Sequence, residues 1–159
     1  MHTPVLQRGI SLLEVLVAIA IFGIGALGLA GWMALATRAT HTAWLHTQAV
    51  YLADDMVERM HANRAGVWLG AYDGEARPGL STQHCDAAAA CLPAALAAYE
   101  QGIWARRLRS VLPDGKGSIR CERAHDGLCT MTLRWLERGA GDADHRGAIT
   151  RSQAWVFQP

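Results

Sequence analysis

The sequence is poor in the features that mark nucleic-acid binders and enzymes. It lacks a basic block: 15 Lys and Arg stand against 14 Asp and Glu, for a net charge of +1. Arg106, Arg107 and Arg109 cluster, but no aromatic platform or nucleic-acid motif accompanies them, so they read as a solvated helix face and no nucleic-acid partner is expected. The seven histidines (His2, His41, His46, His61, His84, His125 and His145) are scattered, with no H-E-x-x-H spacing. There is no nucleophile elbow and no phosphate-cradling glycine loop. His125 and Asp126 lie between two cysteines and read as a turn. The chain is therefore expected not to be an enzyme and to need neither cofactor nor metal. It also lacks internal repeats and low-complexity segments; the Ala87–Ala90 run is too short to count. Its 159 residues suffice for one domain plus a membrane segment.

A second absence is local. From Val15 to Ala36 there is no charged residue, whereas the chain after Ala62 has an ordinary soluble composition. As a helix that stretch is roughly 33 Å long, enough for a bilayer core of about 30 Å. It is about twice as long as the core of a secretory signal. Met1–Gly9 is short and polar and ends Arg8-Gly9. Arg8, just ahead of the apolar run, holds that end in the cytoplasm and sends the C-terminus across the membrane. Cutting after the run would discard the only anchor. Cutting before it, at Gly9-Ile10, would leave the anchor on the mature protein.

Glu14 stands one turn into this helix, in Ile10-Ser-Leu-Leu-Glu-Val-Leu-Val-Ala. An ionised carboxylate at membrane depth costs several kcal/mol, on the order of the insertion scales, so it needs protonation or a partner. Facing water at headgroup level is one solution. The other is a positive partner: cleavage after Gly9 would create the amine of Ile10, on the same chain or a neighbour. Such pairing sets register more than it adds stability.

The run Arg8-Gly9-Ile10-Ser11-Leu12-Leu13-Glu14-Val15-Leu16-Val17-Ala18 resembles the class III signal of type IV pilins and type II secretion pseudopilins. The resemblance implies cleavage after Gly9 by prepilin peptidase, a membrane aspartyl peptidase, and methylation of the Ile10 amine. It implies that Glu14 is the assembly carboxylate. The family commonly has Phe or Met where this chain has Ile10. Glycines 23, 25, 28 and 31 each cost about 1 kcal/mol relative to Ala in a helix interior. They suit close packing or local loss of helical order in a fibre.

Beyond Ala36 the helix is expected to continue to about Asn63. Leu45, Ala49, Leu52, Met56 and Met60 recur at helical spacing, and Asp55 and Arg59 fall i,i+4. Two helices broken near Gly31 are the rival. Gly66–Leu92 reads as loop, with Trp68 and Tyr72 tucked against the head. A second helix is predicted from Pro93 to about Leu112, burying Leu96, Tyr99, Ile103, Trp104, Leu108 and Val111 and ending at Pro113-Asp-Gly. Cys129, Met131, Leu133 and Trp135 alternate with Thr130, Thr132 and Arg134 as a strand. Ile119 and Cys121 belong to a preceding strand, Ile149–Phe157 to a third, and Gly139–Gly147 to an exposed turn.

Four cysteines past the apolar run suggest disulfides on the exported side. Of three connectivities, Cys85–Cys91 and Cys121–Cys129 are favoured because each closes a short loop. The alternative, zinc with His84, is disfavoured because neither spacing matches C-x₂₋₄-C.

The head order Cys85…Cys91-Leu-Pro-Ala…Ala-Tyr99…Trp104…Leu112-Pro…Gly117-Ser-Ile…Cys121…Cys129…Leu133-Arg-Trp135 is similar to PilV-type minor pilins, the type IV pilus modification proteins. That resemblance implies an α+β, pilin-like fold: a long N-terminal helix, half membrane-inserted and half packed on the head, a second helix and a small antiparallel sheet. It implies that residues 1–9 are a leader, 10–36 a transmembrane and fibre-core helix, and 37–159 a periplasmic head. The partners it implies are prepilin peptidase, other minor pilins and the major pilin, a tip adhesin and the inner-membrane assembly platform. By the same resemblance the chain starts as a single-pass inner-membrane protein and ends in a surface fibre serving twitching motility and adhesion. The rivals are a type II secretion pseudopilin and an unrelated single-pass protein with an exported recognition domain.

Overall fold

The computed structural model describes residues 11–81, 84–85, 90–122, 127–138 and 148–159. The leader, the Gly9–Ile10 junction, the His125–Asp126 turn and the turn at 139–147 lie outside the described residues. The elements run α1 (Leu12–Ala62), α2 (Arg64–Trp68), β1 (Gly74–Glu75), α3 (Pro93–Val111), β2 (Lys116–Cys121), β3 (Cys129–Arg138) and β4 (Ala148–Phe157). The chain divides into two compact units, Met1–His41 and Thr42–Pro159.

In the first unit, α1 is apolar on every side from Val15 to Ala36. Leu12, Leu16, Ile19, Phe22, Ile24, Leu27, Trp32 and Leu35 are all exposed. A helix apolar all round belongs in a protein core or a bilayer, and among the described residues these side chains are unburied. By length and composition α1 can cross a membrane. The helix runs unbroken through glycines 23, 25, 28 and 31, where an added Cβ would meet nothing within 4 Å. Packing within the chain therefore does not require these glycines. Where the apolar run ends, the Thr37 and Thr40 hydroxyls donate to the carbonyls of Met33 and Ala36, at 2.8 and 2.9 Å. That back-bonding satisfies the hydroxyls inside the helix.

In the second unit, the rest of α1 is amphipathic. Leu45, Ala49, Leu52, Ala53, Met56 and Met60 are buried, the spacing of one helix face. α3 supplies Ala97, Trp104, Ala105 and Leu108 to the same core. The sheet is antiparallel throughout, in the order β1-β2-β3-β4. Its core face presents Ile119 and Cys121 from β2 and Cys129, Met131, Leu133 and Trp135 from β3, with Trp155 and Phe157 of β4 at the margin. The alternation along β3 is the period-2 pattern of a half-buried strand. Pro113-Asp114-Gly115 turns the chain from α3 into β2. Asp114 is left-handed there, with φ of 50°, and a Cβ on Gly115 would lie 2.4 Å from the Leu108 carbonyl oxygen.

Several expectations need correction. α3 is rotated relative to the predicted face: Trp104 and Leu108 are buried, but Leu96, Tyr99, Ile103 and Val111 are only half-buried, while Glu100 and Gln101 point inward. These polar side chains can be inward because each finds a partner across the core, the Tyr72 hydroxyl for Glu100 and the Ala71 carbonyl for Gln101. Tyr72 is buried as expected, but Trp68 remains exposed. The segment read as loop, Gly66–Leu92, holds the end of α2 and the two-residue β1.

Candidate functional site

The residues singled out for assembly sit at the start of α1. Ser11 precedes the helix, and its carbonyl accepts from the Glu14 and Val15 amides at 3.0 and 3.3 Å. Glu14 is thus in the first helical turn, where the dipole favours a carboxylate. Its side chain is exposed among exposed Leu12, Leu13, Val15, Leu16 and Val17. Among the described residues Glu14 has no ion-pair partner. Gly9 and Ile10 lie outside the described residues, so the junction and the carboxylate are related by sequence alone.

The four cysteines form two bridges, Cys85–Cys91 and Cys121–Cys129. The second joins register partners at the closed end of the β2–β3 hairpin, with Cα atoms 4.0 Å apart. Among the described residues no group of three or more His, Cys, Asp or Glu is placed to hold a metal ion.

A polar network that sequence reasoning missed fastens the second unit. Asn63, buried, caps α2: its Oδ1 accepts from the Gly66 amide at 3.2 Å. Its Nδ2 donates to the Tyr72 hydroxyl at 3.0 Å and to the Pro93 carbonyl at 2.9 Å. A Cβ on Gly66 would stand 2.6 Å from that nitrogen. The Tyr72 hydroxyl in turn donates to Glu100 Oε2. Burial pushes the Glu100 carboxyl above its ordinary range, against the opposing pull of the Tyr72 hydrogen bond and the Arg59 charge. Burial, with the Glu100 hydrogen bond, also pushes the Tyr72 hydroxyl up. Beside it, Gln101 Nε2 donates to the Ala71 carbonyl at 2.8 Å.

Two further ionic groups lie between helix and helix, and between helix and sheet. Arg59 makes two hydrogen bonds to Asp55, both 3.1 Å, and Arg107 of α3 reaches the same carboxylate at 3.2 Å. Arg107, read from sequence as part of a solvated face, therefore links α3 to α1. Glu137, buried on β3, accepts from Trp135 Nε1 at 2.8 Å and Arg151 Nε at 3.1 Å, with His46 Nε2 at 3.4 Å. Of these groups, the Asp55–Arg59 pair had an advance signal in its i,i+4 spacing, and the structure forms it; Asn63, Glu100 and Glu137 had none.

Among the described residues these contacts act as structural polar ties between the elements of the second unit. Comparison with known families agrees with the architecture. A family model described as Prokaryotic N-terminal methylation motif matches residues 6–30. A second, described as Type IV pilin Tt1218, matches residues 34–101. Searches of curated proteins and of solved structures gave no match. The two family matches follow one another along α1 into α3, and with the long apolar helix and small antiparallel sheet they identify the chain as a type IV pilin-like protein.

Proposed function

We propose that this protein is a minor pilin of a type IV pilus, a structural and priming subunit in pilus assembly, and not an enzyme. The carrying observation is Glu14. It is the sole charged residue from Leu12 to Ala36 and sits in the first turn of α1, directly after Gly9-Ile10-Ser11. A lone carboxylate in that place calls for protonation, water or a cation, and the amine released by cleavage before Ile10 is a cation within reach of it. The methylation-motif match over residues 6–30 supports cleavage by prepilin peptidase and methylation of Ile10. The free precursor is then a single-pass inner-membrane protein with a periplasmic head. It passes through the assembly platform to join the major pilin, other minor pilins and a tip adhesin, and so affects twitching motility and adhesion.

Within the superfamily the head pattern favours the PilV type. The bridged Cys85–Cys91 segment ahead of α3 and the Cys121–Cys129 hairpin weigh toward a pilus subunit and away from a secretion pseudopilin. The deciding experiment is to shear surface fibres and measure the mass of the N-terminal peptide. A peptide beginning at methylated Ile10 in the fibres is expected. A processed chain confined to membranes would move the assignment to a secretion pseudopilin or a priming subunit that never enters the fibre. An intact Met1 terminus everywhere would refute processing.

A further inference from the structure

The two disulfides differ in what covers them. Cys121 and Cys129 belong to the buried core, and Cys129 is wholly inaccessible. The Cys121 amide donates to Asp73 Oδ1 at 3.0 Å, and Cys129 pairs across the sheet with Phe157. Cys121 lines a recess of about 30 Å³ with Arg64, Val67, Trp68, Gly127, Gln158 and Pro159. Such a space holds about one water. The Trp68 ring lies beside Gly127, 3.6 Å from where a Cβ would stand. α2 and the end of the chain therefore roof this bridge.

Cys85–Cys91 is more accessible. Both residues are half-exposed, stand outside the core, and precede the first turn of α3. The neighbouring His84 Nδ1 is 3.0 Å from the Tyr99 hydroxyl, so the segment has an attachment to α3 besides the bridge.

Thiol–disulfide exchange requires a thiolate to reach a sulfur, so access divides the two bridges. We propose that Cys85–Cys91 is an exchange site in the folded protein, whereas Cys121–Cys129 is closed once, before α2 and the chain end cover it, and is inert afterwards. In the exchange, one thiolate of a dithiol attacks a cysteine sulfur and expels the other cysteine as thiolate. The second thiol then resolves the mixed disulfide. Cys85 and Cys91 leave as two thiols, and the dithiol becomes a cyclic disulfide, having lost two electrons. Closure of Cys121–Cys129 is the reverse: two thiols give up two protons and two electrons to a disulfide-bearing oxidant, which leaves as a dithiol. That oxidant has to meet an open chain. None of this depends on whether the subunit enters a fibre.

The test uses the full membrane-extracted protein in detergent. Dithiothreitol is added, the reaction is quenched with iodoacetamide over time, and alkylation is located by peptide mass. Under native conditions Cys85 and Cys91 are expected to be alkylated at least about 100-fold faster than Cys121 and Cys129. In concentrated urea the two rates should come within a few-fold of each other. Equal native rates, or Cys121 and Cys129 reacting first, would overturn the proposal. So would a rate gap that persists in urea, because burial would then not be its cause.

Discussion

The indole Nε1 of Trp104 donates a 2.7 Å hydrogen bond to the carbonyl oxygen of Leu52, fixing α3 to a backbone position inside α1. Both side chains are buried, and the same indole fills the space that Gly117 leaves open on β2. A Cβ at Gly117 would lie 2.3 Å from Trp104 Cη2 and 2.5 Å from Cζ3. One side chain thus meets all three layers of the head: helix, helix and sheet.

This geometry predicts a non-additive pair. Gly117→Ala alone should cost about 1–3 kcal/mol through overpacking. Trp104→Phe alone should cost about 2–3 kcal/mol, from the lost hydrogen bond and lost volume. Phenylalanine lacks the two ring atoms that collide with the new methyl. The double variant should therefore be more stable than the sum of the two by at least about 0.5 kcal/mol. Denaturant unfolding of the four proteins measures this, and strict additivity would refute the contact.

Glu100 predicts a pH dependence of definite sign. Its folded-state carboxyl is raised, chiefly by burial. Between the ordinary carboxylate range and the raised value, the folded state holds more protons than the unfolded state. Stability from this group is thus fully present at low pH and declines as pH rises through that window. Glu100→Gln keeps an acceptor for the Tyr72 hydroxyl and removes the titration. Its melting temperature should change less with pH than that of the parent, and it should match or exceed the parent at neutral pH. A parallel pH profile would show that Glu100 does not carry the effect.

Asn63→Ala should be among the costlier polar truncations. It removes the α2 cap and both Nδ2 bonds, leaving the Pro93 carbonyl without this donor. The expected loss is about 2–4 kcal/mol. Asn63→Asp keeps the cap acceptor but sets a carboxylate against the Pro93 oxygen. It should recover less than half of the loss. Full recovery would assign the role of Asn63 to capping alone.

Assembly should depend on two positions in different ways. Gly9 replaced by a larger residue should leave precursor uncut, read as an unchanged mass of the membrane form. Glu14→Ala should be cut and inserted normally yet be recovered in fibres at about a tenth of the parent level or less, if pairing with the new amine sets register. Equal recovery in sheared fibres would remove the pairing.

The parts of this fold that could be read in advance are those set by repetition along a single element. The uncharged run Val15–Ala36, the stripe Leu45–Met60 and the alternation from Cys129 to Trp135 each declare themselves over two or more periods. Pro93 and Pro113 bracket α3 by local backbone chemistry. What could not be read depends on partners far along the chain. Glu100 and Gln101 look like surface residues until Tyr72 and Ala71 are brought opposite them. β1 exists only as the partner of Ile119 and Ser118 on β2 and has no sequence signal of its own. The motif matched over residues 6–30 was legible in the sequence, because a carboxylate in an apolar run is conspicuous. The ties made by Asn63 and Glu137 were not, because neither residue has such contrast.

Asn63 indexes three helices at a single point: it follows the last residue of α1, caps α2 and holds the carbonyl of the first residue of α3. Adding one residue between Leu45 and Asn63 would rotate everything downstream by about 100°. It would carry the amide off Tyr72 and Pro93 and turn part of the methionine stripe to solvent. The spacing over that stretch is therefore a constraint of its own: buried apolar side chains there can be exchanged for others of similar bulk, whereas an insertion or deletion shifts every contact beyond it.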